Sequence, residues 1–514
     1  MKSQDAVYDL VKSLSKQEKR YFKLYASRHL VKGSNKHLIM FDVFSTAKDF
    51  DEQKLKEKIS DKALRKRFSV AKYQMGQHVL RSLAAFHSFN SVDARIHEKI
   101  QQIQILYQKA LLEQCNKLIR STKEFCYKYE KYNFLIQLID IERENYIISK
   151  FHKTAASEIA VLKTEKKIVL EKMRSIKACM DLADEFYLLR NTIGRVRNSE
   201  QRTKLNQLVS VPVFAEESLA FTPLAKVWWH RAQVGYGFLV GNTKHWLEHA
   251  YKMVTVFDEN ADLISDNVRF YLSSLFILAY AQFDSKLTDD FKLTLNRMKQ
   301  VEFDHPRSMD MIVRGYMFET IYTLELRYYI KSGKFKEAKK CVKEINDLLP
   351  QFEQKIAVSD ELVLWYCMAC VQFGLKDYRK CINWLNKVIE TAHTETREDI
   401  QSAVRILNLI CHYELEHSEY LPYVYRSTVR FLSQRKRLFP MEKLFLSYLR
   451  KVNDVINRAE LKRIFEELGE KLESEKNRQA QIVADTEFDL NAWLVSKISK
   501  KDFAEVVKDK WQTT

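Results

Sequence analysis

Apolar side chains fall on helical stripes along most of this chain. Between Ala459 and Glu475, Leu461, Phe465, Leu468 and Leu472 share one face and charges take the rest, the pattern of an amphipathic terminal helix. Phe270 to Phe283 is apolar except at positions such as Ser273 and Ser274, and it is shorter than the roughly 20 residues that cross a bilayer, so it predicts a helix buried in protein. Near the start, Ser15-Lys16-Gln17-Glu18 has capping-box spacing. The Ser15 hydroxyl and the Glu18 carboxylate would satisfy the free amides of a helix whose apolar side carries Tyr21, Phe22, Leu24 and Tyr25. Gly33-Ser34-Asn35 reads as a turn, Leu38 to Phe44 as a short helix, and Lys54 to Phe89 as one or two more. Phe488 to Val507, with Trp493 and Leu494, predicts a last amphipathic cap.

The second half of the chain repeats itself. Tyr322, Leu326, Tyr329, Gly333, Phe335, Ala338, Val342, Ile345 and Pro350 trace a helix, a tight turn at Ser332 and Gly333, a second helix and a proline stop. The pattern returns as Trp365, Ala369, Gly374, Tyr378, Cys381, Leu385 and Val388. It is fainter around Phe291, Leu295, Met298 and Pro306, around Trp246, His249 and Met253, and around Tyr420. The aromatics Trp246, Phe291, Phe335, Tyr378 and Tyr420 stand 45, 44, 43 and 42 residues apart.

This pattern resembles a tetratricopeptide repeat, most clearly over residues 316–390. In that family a glycine near the turn allows close approach, an aromatic opens the second helix, and an alanine sits where the helices cross. Leu326 stands where the family has a small residue, and Cys381 where it has the alanine. The period is longer than the family's roughly 34 residues and near the roughly 40–47 of other helical-pair repeats. Each pair has more apolar surface than it can bury alone, and stacking on neighbours removes that surface from water. Stepping back from Trp246 by the same interval reaches Glu200, Ala156 and Leu112, each between two helix-like segments.

The expectation is an all-α chain: a right-handed α-solenoid of antiparallel helix pairs, tetratricopeptide-like with a period of about 42–45, behind a small N-terminal helical domain. The polar stretch Asn198 to Ser210, followed by Pro212 and Pro223, reads as an internal break. The domains expected are a basic helical domain at 1–97, a first solenoid half at 98–210, a second at 211–476 and a helical cap at 477–514.

Composition sharpens this. Ten glycines and six prolines in 514 residues are about 2% and 1%, against an average usage of roughly 7% and 5%, which leaves little punctuation for strands or long loops. A length of 514 residues exceeds the roughly 250–300 at which a single core stops growing, so the core is built piecewise. The start of the chain lacks the continuous apolar run of a secretory signal. Eight scattered cysteines favour free thiols in a reducing compartment, and the expected location is cytoplasmic. The net charge is +18, and residues 1–97 hold 20 Lys and Arg against 10 Asp and Glu. That imbalance points to an anionic partner, with solvated lysine-rich helix faces as the plainer explanation.

Few constellations carry chemistry. His245-Trp246-Leu247-Glu248-His249 fits the H-x-x-E-H string of inverted zinc metallopeptidases, in which two histidines on one helix face hold zinc and the glutamate polarises water. His230, on the preceding helix, is a third candidate ligand if the hairpin bends near Gly241. Trp246 also occupies the repeat's aromatic position, which explains the helix without a metal, so no metal site and no cofactor are expected. Gly235, Gly237 and Gly241 miss dinucleotide-binding spacing and follow no strand. Cys367-Met368-Ala369-Cys370 lies inside a repeat helix with no matching pair, and Cys381 and Cys411 stand alone, so these read as structural thiols.

In the tetratricopeptide family the first helices line a groove that holds peptides. The resemblance places Thr323, Arg327, Tyr366, Cys370, Asn408 and His412 on that face, without the Lys and Asn set that clamps C-terminal carboxylates. The function expected is a non-catalytic scaffold or adaptor for a protein or peptide partner, off the membrane. One alternative is a regulator that binds nucleic acid through Lys62, Arg65, Lys66, Arg67, Lys72 and Arg81, which recur at helical spacing. Another is a zinc hydrolase at the histidine string.

Overall fold

A computed structural model describes residues 5–28, 36–87, 91–148, 152–196, 198–352, 355–391, 397–435, 437–453, 458–478 and 487–513. Among them every regular element is helical and no strand forms. The chain folds as two compact units, Met1–Tyr129 with Gln137–Ile159, and Glu130–Ile136 with Ala160–Thr514.

The first unit opens with α1 (Ala6–Ser13), α2 (Lys16–Arg28), α3 (Lys36–Thr46), α4 (Glu52–Glu57), α5 (Lys62–Lys66) and α6 (Phe68–Phe86). The capping box forms: Ser15 N donates to Glu18 Oε2 at 2.7 Å, and Glu18 N donates to Ser15 Oγ at 3.2 Å. The stretch read as one or two helices after Lys54 holds three, because Asp51 and Asp61 each cap a new start with a side-chain carboxylate. Tyr8, Val11, Phe22, Phe41, Phe44, Phe68 and Met75 form the core. The turn read at Gly33-Ser34-Asn35 lies outside the described residues. A helix pair follows, α7 (Val92–Gln108) and α8 (Leu112–Lys128), while α9 (Tyr132–Ile148) and the 42-residue α10 (His152–Ile193) each belong partly to both units.

In the second unit, the polar stretch read as a break forms α11 (Ser199–Val209), because Asn198 caps it and Leu205 anchors it in the core. Then come α12 (Pro212–Ala215), α13 (Pro223–Val240), α14 (Thr243–Glu259), α15 (Ala261–Asp266), α16 (Val268–Asp284) and α17 (Thr288–Asp304). The succession continues through α18 (Met311–Lys331), α19 (Phe335–Leu348), α20 (Val358–Gly374), α21 (Tyr378–Thr391), α22 (Glu398–Glu414) and α23 (Leu421–Gln434). It ends with α24 (Pro440–Asn453), α25 (Arg458–Arg478), α26 (Leu490–Ser499) and α27 (Phe503–Thr513). The apolar run read as a buried helix is α16, with Tyr271, Leu275, Leu278 and Phe283 all buried. Phe465, Leu468 and Leu472 of the amphipathic α25 are buried as their stripe requires.

Consecutive helices pair through one kind of turn. The pairs α13–α14, α16–α17, α18–α19, α20–α21 and α22–α23 each pivot on a left-handed residue: Gly241 (φ 72°), Lys286 (60°), Gly333 (69°), Lys376 (60°) and Glu416 (55°). The next amide then reaches back to a carbonyl in the closing turn. Asn242 donates to Gly237, Leu287 to Gln282, Lys334 to Tyr329, Asp377 to Gln372 and His417 to His412, at 2.9–3.1 Å. This Schellman closure satisfies carbonyls that a helix end leaves free. Ala110 (φ 57°), between α7 and α8, makes the same closure from Leu111 to Leu106.

The pairs pack on their neighbours, α14 on α16, α16 on α18, α18 on α20 and α20 on α22. One core gathers Trp246, Met253, Phe257, Leu275 and Phe291, and a second gathers Phe335, Tyr366, Phe373, Leu407, Phe445 and Trp493. Gly374 fits this packing for a steric reason: a Cβ there would run into the ring of Phe335, the aromatic that opens α19.

Candidate functional site

The six positions read as groove-facing are covered by protein. Thr323, Tyr366 and Cys370 keep 1% of their surface exposed, Arg327 6%, His412 8% and Asn408 9%. Thr323 Oγ1 donates to Glu319 Oε1 at 2.9 Å, and His412 Nδ1 lies 3.0 Å from His417 Nδ1. Arg327 lies over the Tyr280 ring at 4.4 Å and pairs through Nη2 with Glu487 Oε1 at 2.8 Å. The family resemblance implied a shared groove face for these residues, but the cover at Arg327 comes from some 160 residues further along the chain.

That cover is the C-terminal segment, residues 487–513, which docks across the turn ends of successive pairs. Trp493, 1% exposed, donates from Nε1 to Glu414 Oε1 at 2.6 Å, at the end of α22. Phe488 and Phe503 meet Phe373, at the end of α20, with centroids 4.8 and 5.3 Å apart. Asp502 pairs with Lys376 at 2.6 Å in the α20–α21 turn. Phe503 also meets Phe335 at 5.8 Å, and Trp511 stacks on Phe283, at the end of α16, at 5.8 Å. Gly333 permits the closest approach, since a Cβ there would stand 2.7 Å from the Ala504 carbonyl oxygen.

The three histidines of the metal alternative come together. The α13–α14 hairpin bends at Gly241 and brings His230 Nδ1 to 3.1 Å from His249 Nδ1, while the His245 and His249 rings stand 4.4 Å apart. His245 Nε2 is 3.1 Å from Gln233 Oε1, and Glu217 Oε1 stands 3.9 Å from His230 Nε2. Burial and the adjacent His249 push His230 down to about 3, and burial and His245 push His249 down to about 4, so both rings are neutral at pH 7. A neutral pair can share one N–H between the two Nδ1 atoms. Glu248, the residue the zinc alternative needs beside bound water, is exposed and pairs with Lys252 at 2.7 Å. Among the described residues no group of three or more His, Cys, Asp and Glu is arranged to hold a metal ion. Beside Glu217, a depression of about 440 Å³ is lined by Ser218, Ala220, Phe221 and Lys226.

The six basic residues of the N-terminal unit divide. Lys72 pairs with Asp5 and, at 3.8 Å, with Glu52, and Arg65 Nε donates to the Ile59 carbonyl at 2.5 Å, so both serve the fold. Lys62, Lys66, Arg67 and Arg81 are exposed.

Sequence reasoning missed a set of charges on the first helices of the pairs. Arg397 grips Asp399 with two hydrogen bonds, 3.0 and 2.7 Å, at the start of α22. Glu319 on α18 and Asp360 on α20 both have carboxyls raised, first by burial; Asp360 raises Glu319 further, while Arg397 opposes the rise in both. An acidic residue in an apolar helix was the available signal, but nothing local shows that it turns inward. No protein-family model and no curated protein matches this chain. Among the described residues no helix is long and apolar enough to cross a membrane.

Proposed function

We propose that the chain is a cytoplasmic, non-catalytic scaffold whose second unit is a right-handed, tetratricopeptide-like solenoid holding a protein or peptide partner. The observation that carries this reading is the docking of residues 487–513 along the ends of successive helix pairs by aromatic anchors and ion pairs at regular stations. A surface that accepts its own helical segment in this way has the chemistry to accept another, because many modest contacts add along the array. The buried positions Thr323, Arg327, Tyr366, Cys370, Asn408 and His412 form the framework behind that surface.

Affinity capture with the full chain from its native cells, followed by mass spectrometry, tests the reading. A reproducible partner whose crosslinks fall on α13 to α23 supports it. Crosslinks confined to α1 to α6, or turnover of a small substrate by the isolated chain, count against it.

A second reading keeps one observation in its favour: Lys62, Lys66, Arg67 and Arg81 are exposed on the N-terminal helices. It assigns them to phosphate contacts and expects the full chain to retard an oligonucleotide on a gel, with affinity falling steeply as salt rises. Retardation that persists after all four are changed to Gln removes it.

A further inference from the structure

Three arginines in the second unit stand apart from the paired charges. Arg190 lies in the last turn of α10, Arg231 on α13 and Arg269 near the start of α16. The first two are half-buried and the third is exposed. Other arginines of this region are engaged: Arg327 with Glu487, Arg397 with Asp399, and Arg195 with Asp284 at 3.9 Å. Arg190, Arg231 and Arg269 have aromatic and hydroxyl neighbours instead, and none of them pairs with a carboxylate among the described residues.

Those neighbours bring Arg231 and Arg269 together, and Arg190 adjoins them by charge alone. Arg231 Nη1 donates to Ser273 Oγ at 2.8 Å, and its guanidinium lies 5.5 Å from the Phe270 ring and 5.9 Å from the Trp228 ring. Trp228 and Phe270 themselves meet at 4.2 Å with their rings tilted by 31°. Arg269 lies over Tyr316 at 5.4 Å, and the Tyr316 hydroxyl is influenced by Ser273 and by Arg231. Arg190 lies over Tyr187, itself 40% exposed, at 5.4 Å. Burial first, then Arg397 and Arg231, lower the Arg190 guanidinium, so the cations sense one another across three helices.

We propose that Arg190, Arg231 and Arg269 form a docking site for an acidic peptide segment, whose carboxylates pair with the guanidiniums while its apolar side chains lie on Tyr187, Trp228, Phe270 and Tyr316. The planar fork of arginine accepts a carboxylate with two hydrogen bonds, and its position over aromatic rings holds the fork before the ligand arrives. Carboxyl groups also stand nearby. Asp184, Glu319 and Asp360 stand among the electrostatic neighbours of these arginines and of the adjoining Arg397. The proposal rests on the scaffold reading and names the chemistry of the partner.

Fluorescence anisotropy on the full chain tests it, with a labelled peptide in which Glu alternates with Leu and Tyr. The native chain is expected to bind the peptide, more weakly at high salt. Arg231→Gln combined with Arg269→Gln should weaken binding about tenfold or more at unchanged circular dichroism. Arg269→Gln alone, on the exposed side, keeps the test valid if the double variant misfolds and should weaken binding severalfold. Changing Lys62 and Arg67 to Gln should leave affinity as it was. Unchanged affinity in the Arg231 and Arg269 variants, a loss caused by the Lys62 and Arg67 changes, or equal competition by inorganic phosphate or single-stranded RNA would overturn the site. Absence of peptide binding by the native chain also overturns it, and leaves the scaffold reading to its own capture experiment.

Discussion

Protonating the buried pair His230 and His249 is unfavourable because each ring would carry charge among apolar neighbours, beside the other ring and near Lys252. Their folded values, about 3 and about 4, lie below the ordinary 6.5, so the unfolded chain takes up protons first as pH falls. Their contribution is therefore fully present above about pH 6.5 and is lost downward toward their folded values, at about 1.4 kcal/mol per pH unit for each ring. Melting temperature should fall between pH 6.5 and 4.5 more steeply in the native chain than in a His230→Asn, His249→Asn variant; equal slopes would contradict this. Steric fit dominates at Gly374, where Ala should cost about 1–3 kcal/mol in urea unfolding because the Phe335 ring has to move. Thiol chemistry is suppressed by the same packing. All eight cysteines are free and buried, and Cys381 and Cys411 are unbonded with Sγ atoms 3.4 Å apart. Ellman's reagent should react slowly with the native chain and count eight thiols once guanidinium unfolds it.

Element boundaries were legible where a side chain does the work locally. Ser15 and Glu18 form their box because both partners lie within one turn, and Ser15→Ala should destabilise the N-terminal unit by about 1 kcal/mol in a denaturant titration. The pair turns were only half legible. Gly241 and Gly333 mark two of them, whereas Lys286, Lys376 and Glu416 hold the same left-handed geometry without announcing it. The hydrogen bonds of the closure and the stacking of flanking helices outweigh a strain of about 1–2 kcal/mol at each non-glycine. Lys286 is exposed, so Lys286→Gly should relieve that strain and raise stability by about 1 kcal/mol; a loss would mean that the side chain contributes more than its backbone costs. The polar stretch Asn198 to Ser210 is helical because a capping asparagine and one buried leucine suffice in a packed setting.

Across the whole molecule, the C-terminal helices bind the second unit together. Trp493→Ala removes the largest fully buried side chain among the described residues and orphans a hydrogen bond to Glu414, so it should cost about 3–5 kcal/mol. The loss should appear as a lowered unfolding midpoint, with earlier proteolytic cleavage within residues 487–513; an unchanged midpoint would show that the segment is held elsewhere. Glu487→Gln should be costly as well, since it leaves the buried Arg327 cation without its counter-charge.

The sequence by itself determined that the chain is helical, where its amphipathic stripes lie, and where aromatics recur along the second half. These properties depend on spacing within a few turns. Only the tertiary structure decided that Thr323, Arg327 and Tyr366 are covered, and that Arg231 and Arg269 gather around Ser273 and Tyr316. Such outcomes depend on which distant segment takes each face, and a helical stripe carries no information about its partner when many segments bear equivalent stripes.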